Sequence, residues 1–264
     1  MKKNYNDILV DVELFYDKVG PKYELIYPNF NSNNKKIAQS LYENGFIKND
    51  AKIADVACGG GWLLNEINKI NPQTELFGFD ISKESIEFAK RHISKDQNNI
   101  SYIVADWLNI KNKTTEKFDL IICIGNSLTH FPVNIQKKIL KSFSQMLNKG
   151  GLLIIDSYKN WNKKLEKHYE IEPKGLTRND NTDIVTYFFS VYSKKIAERN
   201  ICFALYDSKD KNQIEPKDFQ HYFTYQFPFI IKSKFEKEKF GFSGFEQIEL
   251  NDEIGLFEYY KLTK

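Results

Sequence analysis

Residues 54–62, Ala-Asp-Val-Ala-Cys-Gly-Gly-Gly-Trp, and residues 77–80, Phe-Gly-Phe-Asp, decide the fold predicted for this chain. The first stretch continues an apolar run and ends in a glycine-rich turn, which indicates a strand that passes into a helix. The second stretch indicates another strand, whose last residue, Asp80, follows Gly61 by nineteen positions. This order is typical of a βαβ unit that binds a nucleoside, because a terminal acid can accept hydrogen bonds from the ribose hydroxyls.

Two departures from the dinucleotide fingerprint narrow the ligand class. Leu64 stands where that fingerprint has a third small residue, and Asp55 lies four residues before Gly59. A carboxylate at this strand end would repel a pyrophosphate, whereas it suits a ligand with a cationic end. The competing interpretation is a tight βα turn without a ligand, since glycine clusters also recur by chance.

Three further segments follow in order and complete an alternating pattern of strands and helices. Residues 100–107 form a β-rich run that ends in Asp106 and Trp107. Residues 118–131 begin as a continuous apolar strand, typical of a strand covered on both faces, and break at Gly125 and Asn126. Residues 147–156 predict a helix that stops at Gly150-Gly151, followed by a buried strand.

These four segments together resemble the class I S-adenosylmethionine (SAM) methyltransferases. The resemblance implies an α/β, Rossmann-like fold with a mostly parallel seven-stranded sheet, an N-terminal helical cap and a small antiparallel β lid. It implies SAM as cofactor, S-adenosylhomocysteine as product, and a small-molecule acceptor. The residues expected to contact the cofactor are Tyr16, Tyr27, Asp55, Ala57, Cys58, Gly59, Gly61, Asp80, Ile81, Asp106, Trp107, Ile124, Gly125 and Asn126.

Within that family, residues 106–108 and 124–130 resemble the glycine and sarcosine N-methyltransferases. By this likeness Trp107 packs on adenine, and His130 and Tyr158 are the candidate catalytic residues. Tyr158 stands where the glycine enzymes have an arginine that grips the acceptor carboxylate, so glycine is a doubtful acceptor. The tyrosine and the basic residue near the methionine carboxylate map only loosely, the former to Tyr16, Tyr23 or Tyr27 and the latter to Lys35 or Lys36.

Each of these residues also has a structural interpretation. Asp80 can serve as a helix N-cap for the segment that starts at Ser82, and Trp107 can be an ordinary core residue. His130 precedes Phe131-Pro132, which suits a structural histidine as well as a general base.

Three functions remain open from the sequence. The first is a methyltransferase that acts on a small-molecule nitrogen or oxygen by in-line displacement. The second is an O-methyltransferase acting on a sugar, a phosphorylated metabolite or a surface-polysaccharide precursor. The third is a SAM-binding regulatory subunit without catalysis. A nucleic-acid substrate is disfavoured, because the net charge is only +3 and no dense basic stripe is present.

Composition adds further expectations for this 264-residue chain. The three cysteines predict no disulfide framework, and the four histidines lack the close spacing of metal ligands, so no metal is expected. Neither a bilayer-spanning segment nor a secretory signal is evident, which favours a cytoplasmic protein that does not bind membranes. The oligomeric state stays open.

The predicted organisation has four parts: a helical cap at 1–50, a SAM-binding core at 51–156, a β lid at 157–228 and a C-terminal part at 229–264. The cap contains a helix that places Val12, Phe15 and Tyr16 on one face, followed by a second helix from about residue 33 to 42. Three antiparallel strands are predicted within 184–227. The C-terminal part is predicted to hold a helix from 230 to 240 and strands at 245–250 and 256–262.

Overall fold

A computed structural model describes residues 4–26, 29–93, 98–159, 169–179, 182–193, 198–203, 220–225, 240–255 and 257–264. The chain begins with helix α1, Tyr5–Val19, which starts in a capping box between Asn4 and Asp7. Val12 and Phe15 are buried on its inner face, as their spacing predicts. Helix α2, Tyr23–Ile26, and helix α3, Phe30–Glu43, complete the N-terminal cap.

A seven-stranded sheet forms the core, as predicted. Its first five strands are parallel, because the helices between them return the chain to the same sheet edge. The spatial order is β10-β11-β5-β4-β1-β2-β3. The strands are β1 Lys52–Asp55, β2 Glu75–Asp80, β3 Ile100–Val104, β4 Phe118–Cys123, β5 Leu147–Tyr158, β10 Gly244–Ile248 and β11 Phe257–Thr263. The helices are α4 Trp62–Ile70, α5 Lys83–Phe88 and α6 Val133–Met146.

Both faces of this sheet are covered by apolar side chains. Strand β4 contributes Ile121 and Cys123 to the cluster that also holds α1 and α6, and Leu120 and Ile122 to the cluster that holds α3 and α4. Burial on both faces explains why β4 is apolar throughout most of its length instead of alternating.

A second sheet has four antiparallel strands, β6 Tyr169–Asn179, β7 Thr182–Ser193, β8 Glu198–Phe203 and β9 Gln220–Tyr225, in sequential order. The three strands predicted within 184–227 are confirmed as β7, β8 and β9, whereas β6 lies before that range and was not predicted. Strand β6 was missed because Pro173 and two glutamates interrupt its apolar pattern, and a register irregularity follows Pro173. Strand β9 lies beside α1 and the short 3-10 turn Ser127–His130.

The end of α6 also differs from the prediction. The helix ends at Met146, four residues before Gly150, and Leu147 is already extended. Leu147 is buried and pairs with Phe118 of β4, so strand pairing and burial compete with a further helical turn. Gly150 adopts a φ of +77° within β5.

The last two predicted strands are confirmed as β10 and β11. The helix predicted at 230–240 falls almost wholly outside the described residues. No described helix combines the length and hydropathy needed to cross a bilayer.

Candidate functional site

A cavity opens at the carboxyl ends of β1, β2, β4 and β5, where the strand order reverses between β1 and β4. Ligands of open α/β sheets bind at such a switch point. Helix α1 covers the cavity with Leu9, Val12 and Tyr16. The strand ends contribute Asp55, Asp80, Gly125 and Asp156, and the segment directly after β3 adds Asp106.

The glycine-rich turn between β1 and α4 is built as the sequence predicts. Gly59 has a φ of +52° and Gly61 a φ of +84°, a conformation that costs other residues energy. A Cβ on Gly61 would overlap the Tyr102 hydroxyl, which donates a 3.4 Å hydrogen bond to the Gly61 carbonyl. The turn therefore requires glycine both for its dihedral angle and for its packing.

Asp80 fixes this turn from the neighbouring strand. Its Oδ2 accepts a 2.8 Å hydrogen bond from the Gly59 amide, and its Oδ1 accepts one of 2.9 Å from the Ser82 amide. Ser82, and not Asp80, is the N-cap of α5. Because each carboxylate oxygen can accept a second hydrogen bond, Asp80 retains acceptor capacity toward the cavity.

Asp55 is a buried carboxylate, 4% exposed, at the end of β1. Burial raises its pKa to about 7, and the negative charge of Asp80 adds to the shift. Burial also raises the pKa of Asp80. A ligand that brings hydrogen-bond donors or positive charge would stabilise the ionised forms of both acids.

The Asp106 carboxylate accepts more hydrogen bonds from the protein itself than the sequence suggests. Its Oδ1 accepts from the Tyr5 hydroxyl at 2.7 Å and from the Leu108 amide at 3.1 Å, and its Oδ2 accepts from Asn109 Nδ2 at 2.7 Å. Sequence reasoning did not single out Tyr5, which begins α1 and ties that helix to the end of β3.

Trp107 lies between the cavity and the core. It lines the cavity, yet it is only 8% exposed, and its Nε1 donates to the Val56 carbonyl. Its ring packs against Phe131 and Phe143 in the core.

His130 and Tyr16 form a hydrogen bond in the cavity lining, with 3.0 Å between His130 Nε2 and the Tyr16 hydroxyl. Burial lowers the pKa of His130 to about 3, so the imidazole is neutral at physiological pH. A base with so low a pKa has little driving force for removing a proton. The pair therefore supplies a rigid hydrogen-bonded wall that carries no charge.

Asp156, which sequence reasoning did not select, is the second buried acid of the cavity. It is 2% exposed, and its two oxygens accept 2.8 Å hydrogen bonds from the amides of Gly125 and Asn126. These bonds hold a turn in which Gly125 and Asn126 have φ values of +81° and +59°. Burial raises the pKa of Asp156 to about 7. The available signal was an acid that ends an apolar strand, the same signal that identified Asp80.

A family profile described as a methyltransferase domain matches residues 47–215. The chain belongs to the methyltransferase domain family. A glycine/sarcosine N-methyltransferase of Aphanothece halophytica is 29% identical over 106 residues, which is 40% of this chain and 39% of the relative. A ubiquinone biosynthesis O-methyltransferase of Coxiella burnetii is 31% identical over 105 residues, 40% of this chain and 42% of the relative. The chain thus spans about two fifths of these curated relatives.

Solved structures share the methyltransferase fold over almost the whole chain. A SAM-dependent methyltransferase from Clostridium acetobutylicum has a TM-score of 0.65 at 15% identity, covering 92% of this chain and 97% of the other. A SAM-bound amino pentose methyltransferase from Micromonospora echinaspora has a TM-score of 0.65 at 13% identity, covering 92% and 96%. The family and these neighbours support SAM as the cofactor predicted from the sequence.

The remaining predicted site residues of this methyltransferase fall into three groups. Ala57, Cys58, Ile81 and Ile124 line the cavity, and so does Tyr23. Gly61 and Asn126 belong to turns that bound the cavity without lining it. Tyr27 and the side chain of Tyr158 lie outside what the structure describes.

The loosely mapped lysine is not supported. Lys36 Nζ lies 2.7 Å from Glu253 on the surface, and neither Lys35 nor Lys36 lines the cavity. In the described part of the chain, no group of histidine, cysteine and acidic residues is arranged to hold a metal ion.

Proposed function

We propose that this methyltransferase binds SAM in the cavity and transfers its methyl group to a nitrogen or oxygen of a small molecule. One observation carries the proposal: three carboxylates, Asp55, Asp80 and Asp156, line a cavity to which the described residues contribute no lysine or arginine, and Asp55 and Asp156 are buried. Buried acids are stable only with donors or positive charge nearby, and SAM brings ribose hydroxyls, an ammonium group and a sulfonium.

The residues fit SAM group by group. Asp80 is placed to accept the ribose hydroxyls, Asp55 lies where a cationic amino group is favoured, and Asp106 with Trp107 borders the space for adenine. Trp62 adds a donor that the sequence did not reveal: it lines the cavity, and its buried Nε1 has no hydrogen-bond partner among the described residues. An unpaired indole N–H suits the SAM carboxylate.

The protein's contribution to the chemistry is alignment and exclusion of water. SAM supplies an activated methyl group that an acceptor lone pair can displace in line. The wall of Tyr16 and His130 and the turn held by Asp156 give the cavity fixed sides near the end of β4. Orientation of two reactants in this way contributes up to roughly 7–11 kcal/mol in favourable cases.

The residues that line the cavity also bear on the alternative functions that the sequence left open. Named relatives include both N- and O-methyltransferases, so both acceptor atoms are kept in this proposal. A phosphorylated acceptor is less favoured, because a phosphate would meet buried carboxylates and no described cation. A regulatory subunit remains the alternative without catalysis.

Binding of S-adenosylhomocysteine to wild-type protein and to Asp80→Asn tests the proposal by calorimetry. Asparagine cannot accept from both the Gly59 and Ser82 amides, so we expect affinity to fall at least roughly thirtyfold. Asp119→Asn is the matched control, since Asp119 accepts from the Lys52 amide and Asn148 at the opposite end of β4.

Equal affinities for the wild type and Asp80→Asn would contradict the assigned site. Release of S-adenosylhomocysteine from SAM with pools of amines, sugars and phenols then separates an enzyme from a regulatory subunit.

A further inference from the structure

The cavity has two ends with different chemistry, and the topology assigns them. Asp80 and Asp106, at the ends of β2 and β3, mark the nucleoside end. A donor that extends from there across β1 brings its methyl group to the end of β4. The space beyond, bounded by Asp156 of β5 and by Ile254, Phe257 and Tyr259, is left for the acceptor. We call this second region the acceptor end.

The Asp156 carboxylate is the acidic group of the acceptor end. Its two oxygens accept from the amides of Gly125 and Asn126, and each oxygen keeps one lone pair. Asp156 lines the cavity and is only 2% exposed, and a buried carboxylate is costly without further donors. These oxygens therefore indicate a ligand that supplies N–H groups.

Charge points to the same class of acceptor. Asp252 and Asp156 both act on Tyr259, whose pKa they raise together with burial. Asp252 also contributes to the raised pKa of Asp156. The described residues bring no lysine or arginine into the cavity to balance this charge. A carboxylate or phosphate on the acceptor would be repelled here, while an amine would be attracted.

We propose that the acceptor is an amine, bound through Asp156; this inference rests on the proposed function. An amine that arrives as an ammonium transfers one proton to the Asp156 carboxylate. The neutral nitrogen then forms the N–C bond with its lone pair, while the C–S bond breaks and its electron pair stays on sulfur. The positive charge passes from the sulfonium to the methylated ammonium, and Asp156 loses its proton to solvent when the product leaves, which restores the carboxylate.

Deuterated-methyl SAM and a pooled bacterial small-molecule extract identify the acceptor atom without a guess at the substrate. Fragment masses of the labelled product distinguish a methyl on nitrogen from one on oxygen. A product labelled on nitrogen supports the inference, and one labelled on oxygen overturns it. SAM binding without any labelled product overturns both this inference and catalysis, whereas absence of SAM binding refutes the proposed function itself.

Kinetics with the labelled amine test the role of Asp156. Asp156→Asn is expected to raise KM for the amine at least tenfold while S-adenosylhomocysteine affinity changes less than threefold. Asp119→Asn, the control, is expected to leave KM within twofold of wild type. If Asp156→Asn also loses the Gly125 turn and cofactor affinity, the atom that carries the label in the wild-type product decides. An unchanged KM in Asp156→Asn, equal to that of the control, would overturn the assignment.

Discussion

The two ends of the cavity differ in how the chain builds them. The glycine turn of the nucleoside end depends on contacts of short sequence separation, such as Asp80 with the Gly59 amide 21 positions earlier and with the Ser82 amide two positions later. A long-range contact is added at Asp106, which accepts from the Tyr5 hydroxyl across 101 positions. The acceptor end joins distant segments, since the Glu253 amide donates to Asn33 across 220 positions. A local motif therefore specifies the donor site, whereas the acceptor site exists only after the whole sheet has assembled.

The largest effect is expected from Gly61→Ala, which disrupts the glycine turn of the nucleoside end. The substitution places a Cβ at φ +84° and into the Tyr102 hydroxyl. We expect the free energy of unfolding to fall by about 2–4 kcal/mol and cofactor binding to become undetectable. Chemical denaturation and calorimetry measure the two effects.

Gly45→Ala is the matched control, because Gly45 has a φ of +70° with no atom near its Cβ position. It carries the dihedral cost of about 1–2 kcal/mol without the overlap. Equal destabilisation by the two substitutions would show that packing against Tyr102 contributes nothing to the turn.

A smaller effect is the pH dependence of stability that the buried acids of the cavity cause. The pKa values of Asp55 and Asp156 are about 7 in the folded chain, against about 3.9 for an exposed aspartate. Folding thus favours their protonated forms, and this stability is present below about pH 4 and is lost as the pH rises through about 7. Each acid lowers the free energy of unfolding by up to about 1.4 kcal/mol per pH unit in that window.

Asp55→Asn is therefore expected to gain stability relative to wild type as the pH rises from 5 to 7. S-adenosylhomocysteine, whose ammonium favours ionised Asp55, should raise the wild-type melting temperature more at pH 7.5 than at pH 5.5. The variant should lose most of that difference. Parallel pH profiles for wild type and variant would show that Asp55 does not contribute to the pH dependence of stability or of cofactor binding.

The same contrast explains which parts could be predicted from the sequence. The glycine turn and Asp80 follow from residue types at fixed spacing, and the apolar run of β4 follows from burial on both faces. Strand β6 was missed because Pro173 interrupts its apolar pattern. The end of α6 at Met146 was missed because it depends on pairing of Leu147 with β4, which the local sequence does not indicate. Asp156 carries a readable local signal, but its contact with Gly125, 31 positions away, depends on the order of the strands.

The smallest effect concerns the lysine that the sequence placed near the methionine carboxylate. Lys36 is 44% exposed and pairs with Glu253, which also accepts from Ser32 and so attaches the loop before β11 to α3. Because an exposed ion pair contributes little, Lys36→Met should change the free energy of unfolding by less than about 1 kcal/mol. Cofactor affinity should stay within twofold of wild type, as measured by calorimetry beside Lys69→Met, whose lysine forms another exposed pair with Glu66. A tenfold loss of affinity confined to Lys36→Met would instead mean that α3 turns this lysine toward the cofactor on binding, and the donor site would then depend on a long-range contact in addition to that of Tyr5 with Asp106.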